Sequence, residues 1–64
     1  MLEQTKIRLA ERYVKNLRDA DRARHQGLMR VAESCEASAA RIETEYKTSV
    51  TYEDDWDFYV DMVE

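Results

Sequence analysis

The stretch DRARHQGLMR, residues 21–30, decides how this chain folds. It contains the only glycine of the sequence, Gly27, and three cationic or titratable residues directly before it: Arg22, Arg24 and His25. Cations in the last turn of a helix and a glycine just beyond that turn are typical of a helix C-terminus. The stretch therefore predicts two helices folded as a hairpin, over residues 3–25 and 28–48.

A single long helix over residues 1–47, kinked at Gly27, is the alternative. Apolar residues recur at helical spacing from Ile7 to Tyr46, and they keep their phase across Gly27, which a loop has no reason to preserve. Residues 26–30 also offer no Ser, Thr, Asp or Asn to cap a second helix. Because a glycine inside a helix costs only about 1 kcal/mol, the preserved phase slightly favours the continuous helix. Both arrangements remain open from the sequence.

The apolar stripe from Ile7 to Tyr46 is interrupted only by Asp21 and Arg24, which are spaced to pair with each other. A long helix cannot bury its own stripe, and one short tail helix covers only part of it. We therefore predict a homodimer or a stable complex with a partner. The residues predicted to mediate self-association are Ile7, Val14, Leu17, Leu28, Val31, Cys35 and Ile42.

The end of the chain predicts a second kind of helix. After a connector at residues 48–51, an acidic and aromatic segment, residues 52–64, has apolar side chains at i, i+3, i+4 and i+7 from Trp56. Thr51 is a candidate N-cap, with Asp54 in the reciprocal capping position. This pattern predicts a short amphipathic helix over residues 52–63, which must dock on the rest of the chain or on another molecule.

Length and composition place the whole chain, residues 1–64, in one small all-α domain. There is no proline, and helix-forming residues dominate the first 47 positions. Leu, Ile, Val and Phe together number 12 of 64, so the core is small and a buried catalytic cleft is not expected. His25 and Cys35 are too far apart on one helix to form a catalytic pair. We expect no enzymatic activity, no cofactor and no metal site.

The same composition bears on cellular location. No apolar run approaches the length of about 18 residues that a membrane span needs, so no membrane partner is expected. No signal-peptide pattern is present at the start of the sequence. The single cysteine, Cys35, cannot form an internal disulfide. A chain of this kind is typical of a reducing compartment, and we expect it to be cytoplasmic.

Charge is unevenly distributed along the chain. Residues 6–30 contain eight basic and three acidic residues, whereas residues 48–64 contain six acidic residues and no basic one. The basic half predicts a candidate nucleic-acid face on one side of the first helix, formed by Arg8, Arg12, Lys15 and Arg22. The acidic segment has two sides. The candidate partner-binding carboxylates are Asp54, Asp57, Asp61 and Glu64, and the aromatic side, for partner binding or docking, is Tyr52, Trp56 and Tyr59.

These features favour a non-enzymatic helical interaction protein that inhibits or regulates a macromolecular partner. Its acidic aromatic C-terminal helix is predicted to bind a basic surface, for example of a protein that handles nucleic acid. By architecture alone the chain resembles small helical-hairpin dimers that modulate plasmid RNA pairing and miniature phage-type inhibitors of host machinery. Two alternatives stand beside this prediction: an RNA- or DNA-binding helical dimer that uses the basic face, and a structural coiled-coil subunit of an assembly.

Overall fold

The computed structural model describes all 64 residues and consists of three helices without any strand. Helix α1 is Glu3–His25, α2 is Met29–Lys47 and α3 is Trp56–Val63. The first two helices form an antiparallel hairpin, and α3 packs on that hairpin from its open end, where Asp55 pairs with Lys6, to the level of Arg18, which contacts Glu64. The predicted all-α class is confirmed, and the bounds of α1 and α2 agree with the predicted hairpin to within one residue.

The turn between α1 and α2 has the hydrogen bonds of a Schellman motif. Gly27 has a φ of 76°, in the left-handed region that favours glycine. The Leu28 amide donates to the carbonyl of Ala23 at 2.8 Å, and the Gly27 amide donates to the carbonyl of Arg24 at 3.0 Å. The chain therefore reverses at Gly27, and the continuous helix does not form. Each of the two helices buries part of its apolar stripe against the other.

The open end of the hairpin contains the larger of two buried clusters. We call it the aromatic core, and it consists of Leu9, Ala10, Ile42, Tyr46, Trp56 and Tyr59. The Trp56 ring packs on Tyr13 at a centroid distance of 5.0 Å in an edge-to-face arrangement and on Tyr46 at 4.7 Å. Since every helix contributes to this cluster, it is what docks α3 on the hairpin.

The other end, around the turn, is held by small side chains. Ala20, Ala23 and Ala32 form a second buried cluster, which we call the alanine contact, and Cys35 packs against it while remaining partly exposed. Arg24 pairs with Glu36 across the helices rather than with Asp21 on its own helix. Helix α3 contributes no residue to this cluster.

The predicted self-association stripe is therefore divided by the hairpin. Val14 and Ile42 are buried within the chain, and Ile7 is partly buried against the aromatic core. In contrast, Leu17 is 39% exposed, Leu28 47% and Val31 49%. The hairpin satisfies the first group without a second chain, but it leaves the residues near the turn in solvent.

The last helix begins later than the sequence pattern predicts. Residues 48–55 form an irregular connector, and α3 starts at Trp56 instead of residue 52. The cause is local: Asp54 has a φ of 59°, so the backbone is left-handed at that point and a helix cannot pass through it. Thr51 does not cap the helix, because α3 begins five residues later and Asp55 precedes its first turn. The Thr51 hydroxyl instead lies 3.0 Å from that of Ser49 and accepts a hydrogen bond from the Met1 amino group.

Candidate functional site

Helix α3 buries one side of its surface on the hairpin. Trp56 is 3% exposed and Tyr59 is 9% exposed, and Val60 and Val63 on the same side are partly buried against the aromatic core. The predicted aromatic side therefore docks on its own chain. Trp56 and Tyr59 are not accessible to a partner in this conformation.

The other side of α3 combines carboxylates with large apolar side chains. We call it the outward face, and it consists of Asp57, Phe58, Asp61 and Met62. All four are exposed, Phe58 by 62% and Met62 by 48%. The two acids and the two apolar residues each stand four positions apart, so they form two adjacent rows on one helix surface. Phe58 contacts the edge of Tyr59 at a centroid distance of 5.1 Å, which links it to the core beneath.

The remaining predicted carboxylates lie at the two ends of α3. Asp54 is exposed and lies before the helix, where it accepts a hydrogen bond from the Tyr52 hydroxyl at 2.8 Å. That bond raises the pKa of Tyr52 to about 12. Glu64 is exposed just beyond Val63, and its backbone carbonyl accepts a hydrogen bond from Arg18 at 3.3 Å. Asp57 and Asp61 thus share the helix surface, whereas Asp54 and Glu64 flank it.

An ion pair fixes the start of α3 to α1. The Lys6 ammonium lies 2.5 Å from Asp55 Oδ2, and the Tyr46 hydroxyl donates to Asp55 Oδ1 at 2.6 Å. The Lys6 side chain is only 10% exposed, and its ammonium lies 5.6 Å from the centre of the Tyr59 ring. One carboxylate is therefore bound by groups from both hairpin helices.

The same contacts shift the pKa values of Lys6, Asp55 and Tyr46. The hydrogen bond from Lys6 lowers the pKa of Asp55, and the bond from Tyr46 lowers it further. The bond to Asp55 raises the pKa of Lys6. Burial first, and the bond to Asp55 second, raise the pKa of Tyr46. The charged forms of Lys6 and Asp55 and the neutral form of Tyr46 are therefore the forms that the fold stabilises.

Sequence reasoning missed Lys6, Asp55 and Phe58. A signal for Lys6 exists, since Lys6, Ala10 and Tyr13 stand at i, i+4 and i+7 on the apolar stripe. No local signal identifies Asp55 as its partner, because the two residues are 49 positions apart. Phe58 was not singled out, because the aromatic side was assigned from Trp56 and its helical spacing.

The candidate nucleic-acid face is a solvent-exposed side of α1. Arg8, Arg12, Lys15 and Arg22 are all exposed, and none of them lies within ion-pairing distance of a carboxylate. Arg18 stands at the edge of this face by helical spacing, and Arg12, Lys15, Arg18 and Arg22 line a shallow groove that Val63 also lines. Arg8 lies one turn away, outside this groove. Glu11 and Asp19 also line it.

The remaining candidate residues and elements were His25, a metal-binding cluster and a membrane-spanning helix. No group of three or more His, Cys, Asp or Glu residues is placed to hold a metal ion. The His25 ring is exposed and lies 2.9 Å from the carbonyl of Asp21. None of the helices has the length and apolar character needed to cross a membrane. The features that remain are surfaces: the outward face of α3 and the basic groove of α1.

Comparison of the chain with protein-family models, with curated proteins and with solved structures finds no match.

Proposed function

We propose that this chain is a non-enzymatic interaction protein that regulates or inhibits a protein partner through the outward face of α3. The observation that carries the proposal is the exposure of Phe58 and Met62 on a docked helix, in a row beside the exposed carboxylates of Asp57 and Asp61. The partner of matching chemistry has a shallow apolar pocket inside a basic surface. Proteins that handle nucleic acid have basic surfaces of this kind.

The exposed apolar side chains of α3 favour binding on energetic grounds. Phe58 and Met62 contribute little to folding stability while they are exposed, since burying either side chain would contribute about 1.5–3 kcal/mol. Single exposed apolar residues are ordinary, but this pair is adjacent on one helix and rimmed by polar groups. Aromatic residues and Met are enriched at protein interfaces. Phe58 and Met62 are therefore suited to be the anchors of a helix-in-groove contact.

The positions of the acidic residues on α3 also support the proposal. Asp61 and Glu64 stand near the C-terminal end of α3, where the helix dipole disfavours negative charge, and no basic side chain pairs with either of them. Asp57 also repels Asp61 at i, i+4. A basic partner surface would relieve this repulsion and accelerate association.

The hairpin holds α3 in a fixed position. The bonds of Asp55 to Lys6 and Tyr46 fix the start of α3, and the burial of Trp56 fixes its orientation on the hairpin. A preordered helix loses little conformational entropy on binding compared with a free peptide of eight residues. This difference supports a role for the hairpin as a scaffold that presents α3.

The test is affinity capture from lysate of the encoding organism with three immobilised proteins. These are the wild type, a Phe58→Ala/Met62→Ala variant and a control variant, Leu2→Ala/Val50→Ala, which truncates two exposed apolar residues outside α3 and outside the proposed self-association surface. We expect a protein that the wild type and the control retain and the α3 variant loses. Equal retention by all three proteins, with unchanged helicity, would refute the assignment of the outward face.

Charge reversal then separates the two halves of the surface. Asp57→Lys/Asp61→Lys should lower the association rate of the captured partner and its sensitivity to salt, with little change in melting temperature. Glu33→Lys/Glu45→Lys is the matched control, because both residues are exposed on α2. Identical association rates for the two double variants would contradict an electrostatic role for α3.

The same proposal includes self-association and location. Leu28, Met29 and Val31 remain exposed near the turn, and a second copy of the chain that covers them would complete the divided stripe. Sedimentation should then show a dimer that Leu28→Asp dissociates, whereas a folded wild-type monomer at micromolar concentration would exclude it. The free thiol of Cys35 supports a cytoplasmic setting.

A further inference from the structure

The groove along α1 combines four cationic side chains that have no acidic partner. Arg12, Lys15, Arg18 and Arg22 line it, and α3 borders it through Val63. None of the four forms an ion pair within the chain, whereas Lys6, Arg24 and Lys47 each do. The only polar bond that any of them makes to a distant residue joins Arg18 to the carbonyl of Glu64. Their charge is therefore available to an external anion.

The spacing of these cations along α1 sets the length of phosphate backbone that the groove can contact. Residues 12 and 22 are ten positions apart, which is about 15 Å along a helix axis. One strand of duplex nucleic acid carries a charge about every 3.4 Å of axis, so this distance corresponds to roughly four phosphates. Four cations and four phosphates are matched in number.

The residue types also fit a phosphate backbone. Three of the four are arginines, whose planar guanidinium groups bind phosphate oxygens by paired hydrogen bonds. No aromatic ring lines the groove, so it has no platform on which a single-stranded base would stack. Glu11 and Asp19 line it as well and lower its net charge, which predicts weak binding that depends strongly on salt.

We propose that Arg12, Lys15, Arg18 and Arg22 form a second binding surface, one that contacts the phosphodiester backbone of duplex nucleic acid without reading its sequence. This surface is separate from the outward face of α3 and uses different residues. A protein with both surfaces would bring an acidic, apolar contact for a nucleic-acid-handling partner and a basic contact for the partner's substrate. The nucleic-acid contact is tested independently of the protein contact, because the two surfaces use different residues.

The experiment is a fluorescence anisotropy titration with the full chain and labelled 20-base-pair duplexes, one of DNA and one of RNA. Over about 50 to 200 mM salt, log K should fall against log salt with a slope of about −3 to −4, which corresponds to four phosphate contacts. Binding by either duplex supports the proposal, and the ratio of the two affinities identifies the backbone that is preferred. No binding to either duplex at the lowest salt would overturn it.

Matched variants localise the contact. Lys15→Gln and Arg22→Gln should each weaken binding and make the slope shallower by about 0.9. Arg30→Gln removes one exposed cation outside the groove, near the hairpin turn, and should change neither value. Equal effects of all three variants would overturn the assignment to the groove. Competition by polyglutamate as strong as competition by duplex at equal charge would overturn the preference for phosphate.

Discussion

The two ends of the hairpin are stabilised in different ways. At the open end, three helices meet in the aromatic core, where Trp56, Tyr46 and Tyr59 supply most of the buried volume. At the turn, two helices meet through the alanine contact, and the large apolar side chains point into solvent. Because Ala side chains are small, the helices approach closely there without needing a third element.

This difference explains why the chain has a third helix and where that helix lies. A two-helix hairpin with bulky residues cannot enclose them, so Leu9, Ile42 and Tyr46 require a cover, which α3 provides through Trp56 and Tyr59. The alanine contact encloses itself and needs none. Covering one end fixes the orientation of α3, and this orientation determines which of its residues remain exposed.

The largest expected loss of stability follows from truncating Trp56, which packs over the aromatic core. Trp56→Ala should destabilise the protein by about 3–5 kcal/mol, which is much of the stability of a domain of this size. Phe58→Ala, on the opposite side of the same helix, should change stability by only about 0.5 kcal/mol. Urea denaturation followed by circular dichroism measures both. Similar losses for the two variants would show that α3 does not dock as described.

Overpacking tests the other end of the hairpin. Ala32 is fully buried in the alanine contact, so Ala32→Leu should force the helices apart at a cost of about 1–3 kcal/mol. Ala37→Leu is the control, because Ala37 is exposed on the same helix. Thermal melting distinguishes the two variants. If Ala32→Leu is as stable as its control, the helices do not approach closely at that position.

The turn between the helices predicts a smaller effect. Beyond Gly27 and its two chain neighbours, no atom lies within 4 Å of the position that a Cβ would occupy at Gly27, so the cost of Gly27→Ala comes from its left-handed backbone. That cost is about 1–2 kcal/mol. Gly27→Asn should be less destabilising, because Asn adopts this conformation more readily. Equal stability of the wild type and the Ala variant would indicate that the reversal at Gly27 is not populated.

The smallest effect is a pH dependence at the anchor of α3. The folded state lowers the pKa of Asp55 from its ordinary 3.8, so its ion pair stabilises the protein above that pH and is lost as the pH falls below it. The stability difference between the wild type and Asp55→Asn should therefore shrink in acid. At the alkaline end, the raised pKa of Lys6 preserves the pair until the pH exceeds 10.5.

Asp57→Asn serves as the control for this titration, because Asp57 is exposed and has no basic partner. Near neutral pH, Asp55→Asn should lose more stability than Asp57→Asn, because only Asp55 is bound by Lys6 and Tyr46. A difference between the wild type and Asp55→Asn that does not change with pH would contradict a role for the Asp55 charge in docking α3.

Local chemistry explains how much of this fold was predictable. The bounds of α1 and α2 follow from Gly27, from the cations before it and from helical spacing, all of which are local signals. The start of α3 was placed too early, because the left-handed backbone at Asp54 overrides a capping pattern that looks normal in sequence. The sequence alone does not decide between one long helix and a hairpin, because the same apolar stripe is compatible with both.

The candidate site was predictable only in part, because burial is a tertiary property. The carboxylates Asp57 and Asp61 were identified from spacing, and both are exposed. Helical spacing also placed Trp56 and Tyr59 on one side, but only the packed structure shows that this side is occupied by the hairpin and that Phe58 remains free. The bond between Lys6 and Asp55 depends on the same packing, which brings distant residues together.

Site-specific photocrosslinking tests the central claim most directly, because it compares the outward face of α3 with the hairpin turn in otherwise intact protein. Phe58→p-benzoylphenylalanine and Leu28→p-benzoylphenylalanine each place the crosslinker at an exposed apolar position. If the outward face binds the partner, position 58 should crosslink a basic protein and position 28 should crosslink only a second copy of this chain. Capture of that protein from position 28 and not from position 58 would contradict the account.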